Sequence, residues 1–178
     1  MSRIGKLPIT IPSGVTVTVN GNVVTVNGPL GTLSREISPK ISVEINANEV
    51  KVLNTTNSDD AKKFHGLYRQ LINNMILGVS KGFERRLTVN GVGFKITQNG
   101  ADLVLNIGLS HPVNVKAVDG ITLACEKNEV IVKGIDKEKV GQFASKVRDL
   151  KPVEPYHAYG IYYSDEKVIR KERKTGKK

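Results

Sequence analysis

Alternation governs the first part of this 178-residue chain. Val15, Val17 and Val19 are interleaved with Thr16, Thr18 and Asn20, the pattern of a strand with one buried face. Asn20-Gly21 follows, a dipeptide that takes the positive φ angles of a tight hairpin. Val24 and Val26 resume the alternation up to a second turn at Gly28-Pro29-Leu30-Gly31. Leu33, Arg35 and Ile37, then Ile41, Val43 and Ile45, predict two more strands, and Asn46-Ala47-Asn48 turns the chain into Val50 and Val52. The period then changes. Ser58 is placed to cap a helix whose first turn holds Asp59 and Asp60. Phe64, Leu67, Tyr68, Leu71, Ile72, Met75, Ile76 and Val79 form one apolar stripe along it. Its end, Gly78-Val79-Ser80-Lys81-Gly82, is the expected joint between domains.

The same order recurs. Leu87/Val89, Phe94/Ile96, Leu103/Leu105/Ile107, Val113/Val115, Ile121/Leu123/Cys125 and Val130/Val132 predict strands. Asp136 then caps a helix bearing Val140, Phe143, Ala144, Val147 and Leu150, which Pro152 stops. Asn48-Glu49-Val50 returns as Asn128-Glu129-Val130 at an offset of 80. Ala61, Phe64, Tyr68, Arg69 and Leu71 align with Val140, Phe143, Val147, Arg148 and Leu150 at an offset of 79. Thr18-Val19-Asn20-Gly21 matches Thr88-Val89-Asn90-Gly91 at an offset of 70, which makes the second copy about ten residues longer between those landmarks. Two copies are too few for a solenoid, so the pattern predicts a tandem duplication. The expected fold class is α+β. Residues 1–82 and 83–152 form two homologous domains, each a small antiparallel sheet packed by one helix. Residues 153–178 add a tyrosine-rich segment and an extended basic tail.

Charge narrows the function. The chain holds 27 Lys and Arg against 17 Asp and Glu, a net of +10. Positions 164–178 alone carry seven basic and three acidic residues, with Val168 and Ile169 their only apolar side chains. A segment so poor in apolar area cannot offset the entropy of ordering itself, so it is expected to be extended and mobile until it meets a partner. The excess points to a polyanion, most simply nucleic acid, with an acidic protein or lipid surface as alternatives. No apolar run reaches the roughly 18 residues of a membrane span, and no apolar segment follows Met1 to Lys6, so neither a membrane anchor nor a secretory signal is expected.

Catalytic chemistry is hard to place. His65 reads as a partly exposed structural imidazole on the first helix. His111, in Ser110-His111-Pro112, is either a plain loop residue or a phosphate or hydroxyl contact. Cys125, in phase with Ile121 and Leu123, reads as a core cysteine rather than a nucleophile. No histidine pair has metal-ligand spacing, and neither a cofactor nor a metal is expected. Gly91-Val92-Gly93 completes no dinucleotide fingerprint and no Walker sequence is present. Those glycines permit a bulge or the close approach of another backbone, RNA or protein.

The densest local feature is Tyr156-His157-Ala158-Tyr159-Gly160-Ile161-Tyr162-Tyr163, which holds four of the five tyrosines just before the cationic tail. Pro152 and Pro155 argue against a helix or a central strand there. Tyr and His rings can stack on unpaired bases or hydrogen-bond to phosphate and ribose hydroxyls. Alternatively, alternate tyrosines pack on the sheet edge and the tail alone touches a partner.

Several blocks together resemble the bacterial-type large-subunit ribosomal protein L-six family. They are Met1-Ser2-Arg3-Ile4-Gly5-Lys6-Leu7-Pro8-Ile9, Gly28-Pro29-Leu30-Gly31, Asn73-Asn74-Met75, Asn90-Gly91-Val92-Gly93-Phe94-Lys95, Leu109-Ser110-His111-Pro112-Val113, Glu154-Pro155-Tyr156, Gly160-Ile161 and Tyr163. The resemblance implies a non-enzymatic, structural rRNA binder in the large subunit, near the base of the acidic stalk and the region that translational GTPases touch. It nominates Lys95, Ser110, His111, Lys151, Tyr156 and Tyr163 as RNA contacts. With them go His157 and Tyr159 of the aromatic cluster and Lys167, Arg170, Lys171, Arg173, Lys174, Lys177 and Lys178 of the tail. The family usually has Lys-Gly-Lys where this chain has His157-Ala158-Tyr159, a basic residue where it has Tyr162, and an arginine in the stretch that reads Lys151-Pro152-Val153 here. Those departures shift the expected weight onto positions 167–178. Expected partners are large-subunit rRNA and neighbouring proteins at the stalk base, without a membrane or a stable homo-oligomer, on a cytoplasmic or organellar ribosome. The alternative function is a protein-interaction module that docks acidic stalk proteins.

Overall fold

The computed structural model describes residues 3–46, 48–55, 58–172 and 174. The chain divides into two units, residues 1–83 with 135–137 and residues 84–134 with 138–178.

In the first unit, β1 (Ile9–Thr10), β2 (Thr16–Asn20), β3 (Val23–Gly28), β4 (Gly31–Glu36), β5 (Ile41–Asn46) and β6 (Glu49–Asn54) precede the helix α1 (Asp59–Lys81). The strands form two three-stranded antiparallel sheets, in the orders β1-β6-β5 and β2-β3-β4. Asn20-Gly21 makes the expected hairpin: Asn20 pairs with Val23 and Gly21 takes φ 60°. The buried face of both sheets and the stripe of α1 share one core of Ile9, Val17, Val24, Val26, Ile41, Val50, Val52, Ile72, Ile76 and Val79. Ser58 caps α1 as expected, its Oγ accepting from the Ala61 N–H at 3.3 Å. Leu67 departs from the expected stripe and lies on the solvent side at 49% exposure.

The second unit repeats this order. β7 (Phe83–Asn90), whose first residue belongs to the first unit, leads into β8 (Lys95–Asn99), β9 (Asp102–Asn106), β10 (Val113–Val115), β11 (Ile121–Glu126), β12 (Glu129–Gly134) and α2 (Lys137–Asp149). The sheet orders are β10-β9-β8 and β11-β12-β7, the latter extended by an extra edge strand β13 (Gly160–Tyr163). Each α+β copy therefore divides its strands between two small sheets instead of one. Leu87, Val89, Leu103, Leu105, Ile121, Leu123, Val130, Val132, Val140, Ala144, Val147 and Ile161 are all buried. No helix among the described residues is long and apolar enough to cross a membrane.

Register corrects one alignment. The counterpart of the Asn20-Gly21 hairpin is Asn99-Gly100, where Asn99 pairs with Asp102 and Gly100 takes φ 64°. That offset is 79, in step with the rest of the repeat, so the ten-residue insertion disappears. Asn90-Gly91 lies instead at the end of β7, the counterpart of β1. One backbone bond shows the equivalence: the Ile11 N–H donates to the Asn48 carbonyl at 2.9 Å, and the Val89 N–H to the Asn128 carbonyl at 2.8 Å.

Two side chains are also placed differently from expectation. His65 is not partly exposed; it is 3% accessible, and its Nε2 lies 2.8 Å from the Val52 carbonyl oxygen. Ile9 pairs with Val50, and the bond from Ile11 to Asn48 sets the parity that turns the even-numbered backbone groups of β6 toward β1. β1 does not extend to the position facing Val52, so the imidazole takes the carbonyl that a longer strand would have bonded. That bond makes Nε2 the protonated nitrogen. Gly5 lies flat against the ring, where a Cβ would overlap it. Cys125 is only half-buried, near the end of β11, with its Sγ 3.9 Å from Gln98 Oε1.

His65→Leu leaves the Val52 carbonyl buried without a donor. It is expected to cost about 1–3 kcal/mol, read as a lower urea midpoint for the transition that unfolds the first unit.

Candidate nucleic-acid interface

The second unit gathers most of the nominated residues at one end. β7 finishes at Asn90, and the turn of residues 91–94 leads into Lys95 at the start of β8. Lys95 pairs with Asn106, so the loop carrying Ser110 and His111 leaves β9 at the same end. Phe94 joins the two loops, because its ring covers the backbone of both Gly91 and Gly108. The aromatic segment arrives from the other side of β7. Gly160 pairs with Asn90, and the Asn90 Nδ2 donates to the Ala158 carbonyl at 3.0 Å. Lys151 is drawn alongside by the Ile161 N–H, which donates to its carbonyl at 2.8 Å, and the Glu154 N–H closes the loop onto the Tyr159 carbonyl at 3.0 Å.

The tail then doubles back. Past β13 the Ser164 N–H bonds the Arg86 carbonyl at 3.1 Å, the chain turns where the Glu166 N–H meets the Tyr163 carbonyl at 2.9 Å, and the Lys171 N–H reaches the Pro155 carbonyl at 2.8 Å. Arg170 and Lys171 thereby rejoin the loop that carries Tyr156. Positions 164–171, expected to be extended, lie against the second unit through these bonds. The bonds that place this segment are polar, not apolar. Arg148 on α2 donates to both carboxylate oxygens of Glu166, at 2.6 and 3.2 Å, and Glu166 also accepts the Tyr163 N–H at 3.3 Å. The guanidinium groups of Arg85 and Arg148 lie 5.4 and 5.6 Å from the centre of the Tyr163 ring, and Arg85 pairs with Asp165 at 3.0 Å. No local sequence signal marks these roles of Arg85, Arg148 and Glu166, because pairs between distant elements leave no spacing to read. Arg173, Lys177 and Lys178 lie outside the described residues; Lys174 is exposed.

The nominated side chains fall into two groups. Lys95, Ser110, His111, Tyr156, His157, Arg170 and Lys171 are exposed, and Tyr159 is half-buried, at the loop end just described. Lys151 is half-buried beside them. Tyr163 and Lys167 belong to the opposite turn, where Tyr163 is held by the arginines. His157 Nδ1 lies 2.8 Å from Glu154 Oε1, and its ring stacks on Tyr159 at 5.3 Å. Ser110 Oγ lies 3.3 Å from His111 Nδ1. Acid groups nearby are already engaged: Arg86 reaches Glu84 at 2.6 Å and Glu126 and Glu129 at 3.6 Å. Bonds from Arg86 first, then Lys133, hold the Glu84 carboxyl below its ordinary value. Among the described residues no group of three or more His, Cys, Asp or Glu is arranged to hold a metal. The arrangement presents cations, hydroxyls and aromatic faces together at one loop end, the side-chain types that meet phosphates, sugars and bases.

These features define an α+β protein of duplicated architecture with a cationic, aromatic loop end on its second unit, and sequence comparison gives the family. Residues 11–82 and 90–164 match the model of the family described as Ribosomal protein L6, and the chain belongs to that family. It is 48% identical over 178 residues to the large ribosomal subunit protein uL6 of Shouchella clausii, covering 99% of this chain and all of the relative. Proteins of the same name from Herpetosiphon aurantiacus and Acaryochloris marina are 49% and 50% identical over 179 residues, covering the whole of each chain. These relatives carry the name of a ribosomal component, not of an enzyme.

The bond from Arg148 holds the Glu166 carboxyl below its ordinary value of 4.5, with the Tyr163 N–H helping and burial opposing. A depressed folded pKa means that this contribution is full above the ordinary value and is lost as pH falls through the folded one. Glu166→Gln is expected to cost at most about 1 kcal/mol, since the pair is partly exposed. At neutral pH it should lower amide-exchange protection at Lys171 about fivefold. Carboxyl NMR of the unmodified protein should show Glu166 titrating below 4.5.

Proposed function

We propose that the chain is a structural component of the large ribosomal subunit that binds rRNA through the loop end of its second unit. The two rigid units act as a spacer, and the loops and returning tail clamp a folded RNA segment. The observation that carries this reading is the convergence of Lys95, Ser110, His111, Lys151, Tyr156, His157, Tyr159 and Lys171 on one end, in a chain whose relatives are named large-subunit proteins. The distal cations Arg173, Lys174, Lys177 and Lys178 follow in sequence and neutralise further phosphates. A seat near the stalk base, beside the rRNA that translational GTPases touch, accords with the family resemblance and with ribosomal localisation.

Phosphate neutralisation sets a measurable scale. With about six phosphates engaged, log affinity for a large-subunit rRNA transcript falls against log salt with a slope of about −4 to −5. Deleting residues 167–178 keeps the Arg148–Glu166 pair and removes seven cations. That truncation should weaken rRNA binding at least about tenfold and flatten the slope, while the melting temperature stays within about 2 °C of the full chain. A flat salt response of the intact, folded chain contradicts the proposal. Capture of a stalk protein that survives ribonuclease would favour the protein-docking alternative.

A further inference from the structure

Among the described residues Val92 is the most exposed large apolar side chain, at 84%, and it sits on the turn between β7 and Lys95. Isolated surface valines are ordinary, but the tip that carries this one is built to be rigid. Gly93 takes φ 76°, and the Phe94 N–H closes the turn on the Gly91 carbonyl at 3.2 Å. The Phe94 ring then wedges beneath it: a Cβ on Gly91 would meet that ring at 2.6 Å, and one on Gly108, which takes φ 73°, at 3.1 Å. Two loops thus use glycine where any side chain would displace the aromatic platform. The platform supports a short turn that holds an apolar side chain out in water. Lys95 follows it immediately, and Ser110 and His111 stand on the neighbouring loop.

We propose that Val92 is an apolar wedge that seats in the wide, shallow minor groove of a helical rRNA segment, against ribose carbons, while the surrounding cations meet the flanking phosphates. The inference rests on the rRNA-binding reading above and deepens it. A-form RNA presents its sugars in that groove and admits little to the deep, narrow major groove. A valine on a stiff glycine tip matches a shallow apolar surface, and the ring of cations favours RNA over an apolar protein patch. This contact is non-electrostatic, which separates it from every lysine contact nearby.

The test compares full-length wild type with Val92→Ser, and with Val118→Ser as a control at another exposed valine of the same unit. Each is titrated with the large-subunit rRNA transcript, a plain RNA duplex and an unstructured single strand over a range of salt. Val92→Ser should weaken binding to the transcript and the duplex about tenfold at every salt concentration. Its salt slope should be unchanged, its single-strand binding unaltered and its melting temperature retained. Val118→Ser should behave as wild type. Gly91→Ala, which displaces Phe94, should reproduce the affinity loss with some loss of stability. Unchanged transcript affinity in Val92→Ser, beside normal wild-type binding, overturns the wedge and leaves rRNA binding standing. A loss confined to low salt, or to the single strand, overturns the groove seat. Failure of the wild type to bind the transcript overturns the underlying reading itself.

Discussion

The antiparallel pairing of Gly160–Tyr163 with the end of β7 is the interaction on which the rest of the second unit's loop end depends. Four backbone pairs fix where the aromatic loop before the strand and the tail after it must lie. Without them residues 152–159 have two prolines and no partner strand, and the tail has no reason to return. With them, the loop that carries Tyr156 and meets Lys171 lies at the same end of β7 as the turn leading to Lys95. The strand also covers the β7 edge, which would otherwise present unpaired backbone groups to solvent.

Charge is used in two different ways on this scaffold. One set of cations is consumed internally. Arg148 holds Glu166, Arg85 holds Asp165, and Arg86 gathers Glu84, Glu126 and Glu129. These pairs orient the tail and the hairpin between β11 and β12, and they contribute little to stability individually because they are partly exposed. The other set, Lys95, Arg170 and Lys171, is exposed, with Lys151 half-buried beside them. Net charge therefore overstates the cations presented to a polyanion, and the geometry identifies which of them are committed elsewhere.

Much of this was legible in the residues. Alternating valines, the Asn20-Gly21 turn, the Ser58 cap and the recurrence of Asn-Glu-Val at 48 and 128 specify local structure, and the fold follows them. Resemblance, not periodicity, supplied the family and most of the proposed contacts. What was hidden depends on partners distant in sequence. Thr-Val-Asn-Gly occurs twice, yet only the paired strand reveals that Asn99-Gly100, not Asn90-Gly91, is the equivalent hairpin. The burial of His65 follows from the shortness of β1 and the closeness of Gly5, neither of which a helix stripe encodes. The placement of positions 164–171 involves backbone bonds and an arginine on α2 that has no sequence relation to the tail.

Photocrosslinking of the intact protein to large-subunit rRNA, with the attached peptides mapped by mass spectrometry, tests the central claim most directly. Crosslinks at Tyr156, His157 and Lys171, together with the 91–95 and 108–111 loops, are the predicted result. Crosslinks confined to residues 1–82, with the second unit silent, would contradict the account.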